Sequence, residues 1–321
     1  MNRIGVLTSG GDAPGMNPCV RAVARTALFN RVEVSGIREG FRGLVQGEVR
    51  ALSARDVGGI LQRGGTFLQT ARCPEFLERK GRVEALRTLH EAGIEGLVVI
   101  GGDGSMRGAH SLAEMDFPVV GVPASIDNDL LGTDMSLGVD TALNTIMEAV
   151  DKLRDTATSH QRAFVIETMG RSCGYLALCA GVVCGAEMIL IPERQVTLEE
   201  VGQVVENAYA RGKAHAVLIV AEGAMLKAQQ VAAYLDSLDV GFETRVTILG
   251  HVQRGGSPSA FDRMLATRMG TRAVEALLAG ETDAMVGLSG RDTVTVPLAK
   301  VLSAPRQPNL EYLEMARVLA T

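Results

Sequence analysis

The sequence predicts an α/β protein of two domains, each built on a parallel sheet. Apolar, β-branched segments such as residues 3–8, 97–101 and 163–168 alternate with segments of helical periodicity. Several of these apolar segments run directly into small residues, which is typical of buried parallel strands that give way to loops. The 321 residues are enough for two such domains. We therefore expect two Rossmann-like parallel-sheet domains, with the active site in the cleft between them.

In the first part of the chain, strand and helix signals alternate. A glycine-rich loop, S-G-G-D-A-P-G-M-N, follows the first strand, and Pro14 and Asn17 in this loop are typical of a helix start. Residues 40–47 are expected to form a loop. The predicted strands are residues 3–8, 32–37, 97–101 and 118–122, and the predicted helices are residues 18–30, 53–61, 80–92 and 105–115.

A second alternating set follows Gly138, where a long helical pattern begins. Its connections are expected to be right-handed, as in other parallel sheets. The predicted helices are residues 138–158, 173–184, 197–211, 226–237, 257–278 and 309–319, and the predicted strands are residues 163–168, 187–191, 215–221, 243–250, 284–288 and 293–297.

Composition excludes several classes of protein. With 46% hydrophobic and 21% charged residues, the chain is neither disordered nor collagen-like. The formal charge of −5 argues against a dedicated nucleic-acid binder, and no apolar run has transmembrane length. Met1 leads directly into the first strand without a signal-peptide pattern. The five cysteines form no C-x-x-C pair and are odd in number, so we expect reduced thiols in a cytoplasmic protein. From the net charge and the short apolar runs, we expect that it binds neither membrane nor nucleic acid.

The strongest candidate for a phosphate site is V-V-I-G-G-D-G-S at residues 98–105. Three glycines let the backbone approach a bulky ligand, and a helix after Ser105 would point its N–H groups at phosphate. Asp103 could alternatively be a helix N-cap, although a nucleotide–Mg²⁺ site explains the segment more economically. No P-loop motif occurs, and Arg107 stands where a dinucleotide fingerprint needs its third glycine. The loop at residues 9–15 is by itself equally compatible with a simple strand–helix turn.

A pair of carboxylates follows the next strand, in V-P-A-S-I-D-N-D at residues 122–129. Asp127 and Asp129 could belong to a simple turn, since Asn and Asp favour turns. A mobile surface turn is not expected directly after a core strand, however. Two neighbouring carboxylates repel unless a cation is present, and one of them suits general-base work on an alcohol.

Cationic residues cluster at predicted strand ends in the second half. A single arginine is usually a solvated surface residue, but several arginines beside glycines indicate phosphate binding through their forked donors. His251 alone would fit a core or a ligand position equally well, and its neighbours favour the ligand position. The residues in question are Arg162, Arg171, Arg245, His251 and Arg254.

Taken together, these motifs resemble those of the bacterial ATP-dependent 6-phosphofructokinase family. L-T-S-G-G-D-A-P-G-M-N, G-G-D-G-S, S-I-D-N-D, S-H-Q-R, E-T-M-G-R and G-H-V-Q-R-G-G-S-P occur in the family's order, over essentially the whole chain. The resemblance implies an ATP-binding domain of residues 1–138 plus about 251–304. It also implies a sugar-phosphate domain of residues 139–250 plus about 305–321.

The resemblance also implies roles for individual residues, with ATP and fructose 6-phosphate as substrates and Mg²⁺ as cofactor. Asp103 corresponds to the metal position, Asp127 to the base that takes the proton of the sugar's 1-hydroxyl, and Arg171 to the cation on the transferring phosphoryl group. The implied catalytic residues are Gly11, Asp127, Asp129 and Arg171. The implied nucleotide site is Gly11, Arg72, Cys73, Gly102, Asp103, Gly104 and Ser105. The implied sugar-phosphate site is Ser125, Ile126, Asp127, Arg162, Met169, Gly170, Arg171, Glu222, Arg245, His251, Val252, Gln253 and Arg254.

In this family two of the arginines, Arg162 and Arg245 here, reach across a subunit interface, which implies a homotetramer. A regulatory site for ADP or phosphoenolpyruvate is also implied, and Glu187 is expected to distinguish the two effectors. Ala214 departs from a lysine of the family at this site. The implied residues are Arg21, Arg25, Arg55, Arg154, Gly185, Glu187, Arg211, Lys213 and His215.

Two other hypotheses remain open. Pyrophosphate-dependent relatives typically carry Asp and Lys where this chain has Gly104 and Ala124, so ATP is the expected donor. Phe41, where the family often has Tyr, is expected to offer a ring face to adenine. A catalytically idle sensor of nucleotides or sugar phosphates is disfavoured because Asp103, Asp127 and Arg171 are all present.

Overall fold

The computed structural model describes residues 1–158, 162–238 and 241–320, so the first three residues of the S-H-Q-R motif lie outside the described residues. The chain forms two compact units. The first unit comprises residues 1–126, 130–141 and 254–306, and the second comprises residues 127–129, 142–253 and 307–321. The assignment of nucleotide and sugar-phosphate binding to separate domains, and of a site between them, stays a prediction.

The first unit is built on a seven-stranded sheet. In chain order, its elements begin with β1 (Arg3–Thr8), α1 (Met16–Phe29), β2 (Glu33–Ile37), α2 (Gly40–Gln46), β3 (Val49–Leu52), a 3-10 helix (Pro74–Leu77) and α3 (Arg79–Glu91). They continue with β4 (Gly96–Gly101), α4 (Asp103–Ala113) and β5 (Val119–Pro123).

The second unit contains a four-stranded parallel sheet. Its elements are α5 (Val139–Thr158), whose first three residues belong to the first unit, β6 (Arg162–Thr168), α6 (Tyr175–Val183), β7 (Met188–Leu190), α7 (Leu198–Ala210), β8 (Ala216–Ala221), α8 (Ala228–Leu238) and β9 (Glu243–Ile248).

The rest of the chain completes both units. It comprises a 3-10 helix (Gly250–Arg254), α9 (Ala260–Leu278), β10 (Ala284–Ser289), β11 (Asp292–Pro297), α10 (Leu298–Val301) and α11 (Glu311–Leu319).

The burial of the strands agrees with their positions in the two sheets. The large sheet runs β11-β10-β5-β4-β1-β2-β3, and its five inner strands are parallel, whereas β3 and β11 pair antiparallel at the edges. All six residues of the central strand β4 are buried, as expected for a parallel strand covered on both faces. The smaller sheet runs β7-β8-β6-β9, and its inner strand β8 is also fully buried. The predicted α/β fold with parallel-sheet domains is confirmed.

Two local predictions were wrong. Residues 40–47 contain the helix α2, which buries Phe41 and Leu44 three positions apart and ends at Gly47 in a left-handed conformation. Residues 53–61 form turns instead of a helix, because Asp56 accepts a hydrogen bond from the Ser53 amide, at 2.8 Å, and glycines follow. The edge strand β3 was missed as well. Within the described residues, none of the helices combines the length and apolar character needed to span a membrane.

Candidate active site

In the first unit, three adjacent parallel strands end at the same edge of the sheet. Thr8 of β1 pairs with Ile100 of β4, and Gly101 of β4 pairs with Pro123 of β5. The three candidate loops, which begin at Ser9, Gly102 and Ala124, therefore emerge side by side. The motifs at residues 9–15, 101–105 and 124–126 form one cluster, although they are far apart in sequence.

Close packing explains the glycines of this cluster. A Cβ atom at Gly101 would lie 2.3 Å from Ser105 Oγ and 2.5 Å from the carbonyl oxygen of Ser9, so no larger residue fits. Gly102 is the N-cap of α4, and the Ser105 and Met106 amides both donate to its carbonyl oxygen, at 2.9 and 3.0 Å. The buried Ser105 hydroxyl has no hydrogen-bond partner within the described part of the chain.

Asp103 is the first residue of α4, two positions before the predicted helix start, and is therefore not the N-cap. Its side chain is 46% exposed, and the Arg107 guanidinium donates to both carboxylate oxygens, at 2.8 Å through Nε and 3.2 Å through the terminal nitrogen. Gly104 faces open space, since no atom lies within 4 Å of a Cβ built there.

The donor set fits a magnesium–nucleotide complex. A half-exposed carboxylate at a helix N-terminus offers a hard oxygen ligand beside N–H groups that attract phosphate. No group of three or more His, Cys, Asp or Glu side chains that could hold a metal occurs among the described residues. A protein site of this kind supplies only one or two ligands and leaves the rest to phosphate oxygens and water.

Two further loops of the first unit complete the cluster. The Arg254 guanidinium lies over Gly11, where a Cβ atom would come within 2.9 Å of it. Gly64 packs against the backbone of Gly256, since a Cβ atom built at Gly64 would lie 2.2 Å from the Gly256 carbonyl oxygen. The buried Asn17 side chain donates to the Arg63 carbonyl at 2.9 Å and accepts from the amide of residue 67 at 2.6 Å. Asn17 thus shapes the R-G-G-T loop.

The expected ring face of Phe41 is not present. Phe41 is 6% exposed, stacks on Phe76 with ring centroids 4.2 Å apart, and would lie 2.5 Å from a Cβ at Gly108. The ring is therefore part of the core. Arg72 is exposed, whereas Cys73 is half-buried and packs against the same core, with its thiol near Glu75 at 3.6 Å.

In the second unit, the loops after β6 and β8 bring Arg171 and Glu222 together. Arg171 Nε lies 3.4 Å from Glu222 Oε1, and the Arg171 side chain is 80% exposed. The Glu222 amide donates to the Thr168 carbonyl oxygen at 2.8 Å, and the Gly223 amide donates to the Gly170 carbonyl oxygen at 3.0 Å. Gly170 has a φ of 130°, which favours glycine. An exposed guanidinium is thus held on a rigid turn.

Asp127 and Asp129 belong to the same unit. The intervening Asn128 is fully buried with a φ of 51°, so the turn is fixed and the two carboxylates project from a set backbone. Burial raises the pKa of the Cys173 thiol to about 12, and Glu193, Asp129 and Asp127 add to the shift through their negative charges. The carboxylates therefore act on a residue only two positions after Arg171.

Gln253 is fully buried and does not offer its side chain to solvent. Its Oε1 accepts from the Met169 amide at 3.2 Å, and its Nε2 donates to the Gly250 carbonyl at 3.0 Å. Its neighbours His251 and Val252 are exposed, and Met169 is buried. Gln253 thus ties the loop after β9 to the loop that carries Arg171.

Arg162 and Arg245 lie away from this cluster within the second unit. Arg162 begins β6, six residues before Thr168, so about 20 Å of strand separates it from the Arg171 loop. Glu243, which pairs with Arg162 across the sheet, accepts from Arg162 Nε at 2.9 Å and also from Arg245. No sequence pattern indicates a role for Glu243, because only strand pairing places it between two arginines.

The predicted regulatory residues fall into two groups, one in each unit. The second unit contains a cavity of about 370 Å³ lined by Arg154, Cys184, Gly185, Glu187, Lys213, Ala214 and His215. Lys213 Nζ lies 3.3 Å from Glu187, and Lys213 and Arg211 both donate to the Ala320 carbonyl, at 2.7 and 3.3 Å. Burial lowers the pKa of His215, and the nearby Glu187 charge partly opposes that shift.

In the first unit, Arg21 and Arg25 lie four residues apart on α1. Arg25 donates to the Ala54 carbonyl at 3.5 Å, beside the exposed Arg55. These three arginines therefore form one cationic surface.

Comparisons with known proteins bear on the whole chain. The family model described as Phosphofructokinase matches residues 3–277. A Thermotoga neapolitana protein named ATP-dependent 6-phosphofructokinase is 53% identical over 321 residues, with 100% of both chains covered.

Two solved structures show the same fold. The crystal structure of Pichia pastoris phosphofructokinase in the T-state is 40% identical, with a TM-score of 0.90, and the match covers 94% of this chain and 35% of the longer Pichia chain. A pyrophosphate-dependent phosphofructokinase from Marinobacter aquaeolei is 22% identical, with a TM-score of 0.86 and coverage of 97% and 86%, and shows similarity of fold alone.

Proposed function

Because the chain belongs to the phosphofructokinase family, we propose that it transfers the γ-phosphoryl group of ATP to the 1-hydroxyl of fructose 6-phosphate. The products are fructose 1,6-bisphosphate and ADP, and the reaction is the committed step of glycolysis. The observation that carries this proposal is the segment after β5. Within five residues it runs from Ser125, which lies beside Gly102, to the Asp127–Asp129 pair, whose charges reach the loop of Arg171.

Each group has a role that its environment supports. Asp127 accepts the proton of the 1-hydroxyl as general base, and Asp129 helps to position the phosphates. Arg171 is exposed on a rigid turn and stabilises the negative charge of the transferring phosphoryl group. Gly11 and residues 102–105 hold the nucleotide phosphates through backbone N–H groups.

Asp103 would hold Mg²⁺, which when bound neutralises charge on the phosphates of ATP. The residues of the first unit fit this arrangement, because a single accessible carboxylate stands at the N-terminus of α4. Arg72 and Cys73 complete the proposed nucleotide site. Adenine is not assigned to the buried Phe41 ring.

The proposed donor is ATP and not pyrophosphate. Gly104 faces open space and leaves room for the part of the nucleotide beyond the transferred phosphates, and Ala124 provides no cation for a pyrophosphate. The fold does not decide the donor, since a pyrophosphate-dependent enzyme has it as well. The 53% identical relative is named for ATP, which supports the same choice.

The sugar-phosphate site is proposed to be shared between subunits of a homotetramer. Arg171, Glu222 and His251 follow strand ends of the second unit, whereas Arg162 begins β6, about 20 Å away from Arg171, and Arg245 is the third residue of β9. Arg254 of the first unit lies over Gly11. Arg162 and Arg245 would serve the site of a second copy. Gln253 is proposed to act through Met169 instead of touching the sugar.

The cavity of the second unit is proposed to bind an anionic effector such as ADP or phosphoenolpyruvate. Arg154, Lys213 and His215 supply positive or protonatable groups, and Arg21, Arg25 and Arg55 form a second cationic surface. Glu187 contacts Lys213 and is the negatively charged group expected to distinguish one effector from the other. A cytoplasmic location belongs to the same proposal and agrees with five free cysteines.

A coupled assay for fructose 1,6-bisphosphate tests the proposed reaction. The protein receives fructose 6-phosphate and Mg²⁺ with either ATP or pyrophosphate, and then ADP or phosphoenolpyruvate is titrated. Turnover with ATP alone is expected, with a response to at least one effector. Turnover with pyrophosphate would overturn the choice of donor, and ATP binding without turnover would assign the chain to a sensing role.

A further inference from the structure

We propose that Arg107 is a built-in competitor of Mg²⁺ at Asp103 and sets how tightly the metal–nucleotide complex binds. The inference rests on the proposed function, in which Asp103 is the metal ligand. Arg107 lies one helical turn after Asp103 on α4, and its two nitrogens contact the two carboxylate oxygens at 2.8 and 3.2 Å. The forked guanidinium thus occupies both atoms that a cation would use.

This placement matters because the site has few other protein ligands. Among the described residues there is no cluster of three carboxylate, imidazole or thiol groups that could replace Asp103. Metal affinity therefore depends on how available the two oxygens of Asp103 are. A cation already seated on them must leave before a metal takes its place.

The order of the two residues favours the pair in the absence of metal. An acid four positions before a base is the more favourable arrangement on a helix, and Asp103 in the first turn also benefits from the helix dipole. The Arg107 side chain is 60% exposed, so it can swing into solvent without disturbing the core. Displacing Arg107 therefore costs only the modest free energy of an exposed ion pair, so Arg107 weakens metal binding without blocking the site.

The nucleotide would bring its own advantage. Divalent metal that arrives with phosphates gains contacts to the loop N–H groups and can displace Arg107, whereas free metal gains only one carboxylate. Arg107 would therefore lower the affinity of Asp103 for both forms of the metal, and the metal–nucleotide complex would keep the tighter binding because of its phosphate contacts. Substitution of Arg107 should tighten the binding of both forms.

The test measures Mn²⁺ held on the full-length protein by water-proton relaxation enhancement, with and without a non-hydrolysable ATP analogue. Arg107→Gln is expected to tighten Mn²⁺ binding by about 2- to 5-fold, both with and without the analogue. Arg87→Gln is the matched control, since Arg87 also forms i,i+3 and i,i+4 ion pairs, on α3, and its loss should leave Mn²⁺ binding unchanged.

Two more variants separate this inference from the proposed function. Asp103→Asn should weaken Mn²⁺ binding, and adding Arg107→Gln to it should bring no gain, because the competition needs the carboxylate. If Asp103→Asn binds Mn²⁺ as the unmodified protein does, the metal role of Asp103 fails and the inference with it. If Asp103→Asn weakens binding but Arg107→Gln leaves it unchanged or weaker, only the role of Arg107 is overturned.

Discussion

Asp127 illustrates how one side chain can be tested apart from its scaffold. It stands on a turn whose backbone is fixed by the buried Asn128, so a change at Asp127 should leave the turn in place. We expect Asp127→Ser to lower kcat by roughly 10²- to 10⁴-fold, since the proton of the 1-hydroxyl loses its acceptor, while ATP binding persists.

The measurement is kcat in the coupled assay, together with ATP affinity by calorimetry. Asp236→Ser, at an exposed position of α8, serves as the control and should behave like the unmodified protein. Near-normal turnover of Asp127→Ser would refute the base assignment.

The choice of phosphoryl donor can be tested by substitutions at Gly104. Because nothing lies within 4 Å of a Cβ there, Gly104→Asp should fold normally, yet its carboxylate would repel the nucleotide phosphates. We expect kcat/KM for ATP to fall by roughly tenfold or more, with an unchanged melting temperature. Gly104→Ala controls for the loss of glycine, and equal losses in both variants would contradict a charge effect.

At the scale of elements, the start of α5 depends on a carboxylate from α9. Asp262 is fully buried, and its oxygens accept from the Gly138 amide at 2.9 Å, the Thr141 amide at 2.8 Å and the Thr141 hydroxyl at 2.6 Å. Burial raises the pKa of Asp262, although these hydrogen bonds oppose the shift. The side chain therefore caps a helix at the cost of a buried charge.

Replacing this cap gives a stability prediction with a defined pH dependence. In Asp262→Asn an amide group would face N–H and O–H donors, so we expect a loss of about 1–3 kcal/mol in the free energy of unfolding at neutral pH. A raised pKa means that the folded state binds the proton more tightly than the unfolded chain does. The contribution of Asp262 to the free energy of unfolding therefore grows as the pH falls from the pKa of the folded state towards the ordinary pKa of an aspartate.

Equilibrium urea denaturation of both proteins from pH 7 to pH 4 measures this difference. The gap between the unmodified protein and Asp262→Asn should widen as the pH falls. Glu91→Gln, at a side chain 71% exposed, should show no such gap. A gap that narrows on acidification would contradict a raised pKa at Asp262.

Elements also show where local sequence is a poor guide. Residues 40–47 contain three glycines and are predicted to be a loop, but burial of Phe41 and Leu44 makes them a helix. Residues 53–61 have helical periodicity, but the Ser53–Asp56 hydrogen bonds and two glycines favour turns. In both segments, packing or side-chain hydrogen bonding outweighs helix propensity.

At the scale of the whole molecule, the two ends of the small sheet separate the proposed sugar-phosphate residues. If Arg162 serves a neighbouring subunit, then Asp127→Ser and Arg162→Ser are each nearly inactive, but their mixed tetramers regain activity. Random mixing should restore roughly a quarter of the sites, because only some combine an intact base with an intact arginine. Subunit exchange followed by the coupled assay measures this recovery.

The controls for this experiment use the same preparation. Each variant exchanged with itself should stay inactive, and sedimentation should show the same oligomer in every sample. Absence of any recovery in verified mixed tetramers would place Arg162 and Asp127 in the same subunit's site, or Arg162 outside it.

The sequence by itself determined the fold class, the position of most strands and the family, because apolar periodicity and loop motifs are local properties of the chain. It also singled out Asp103, Asp127 and Arg171 as chemical groups. Only the tertiary structure decided which groups meet. Strand pairing brings the loops at Gly11 and Gly102 together, seats Glu243 between two arginines and buries Gln253 and Phe41. These contacts join residues distant in the chain, and no local pattern records them.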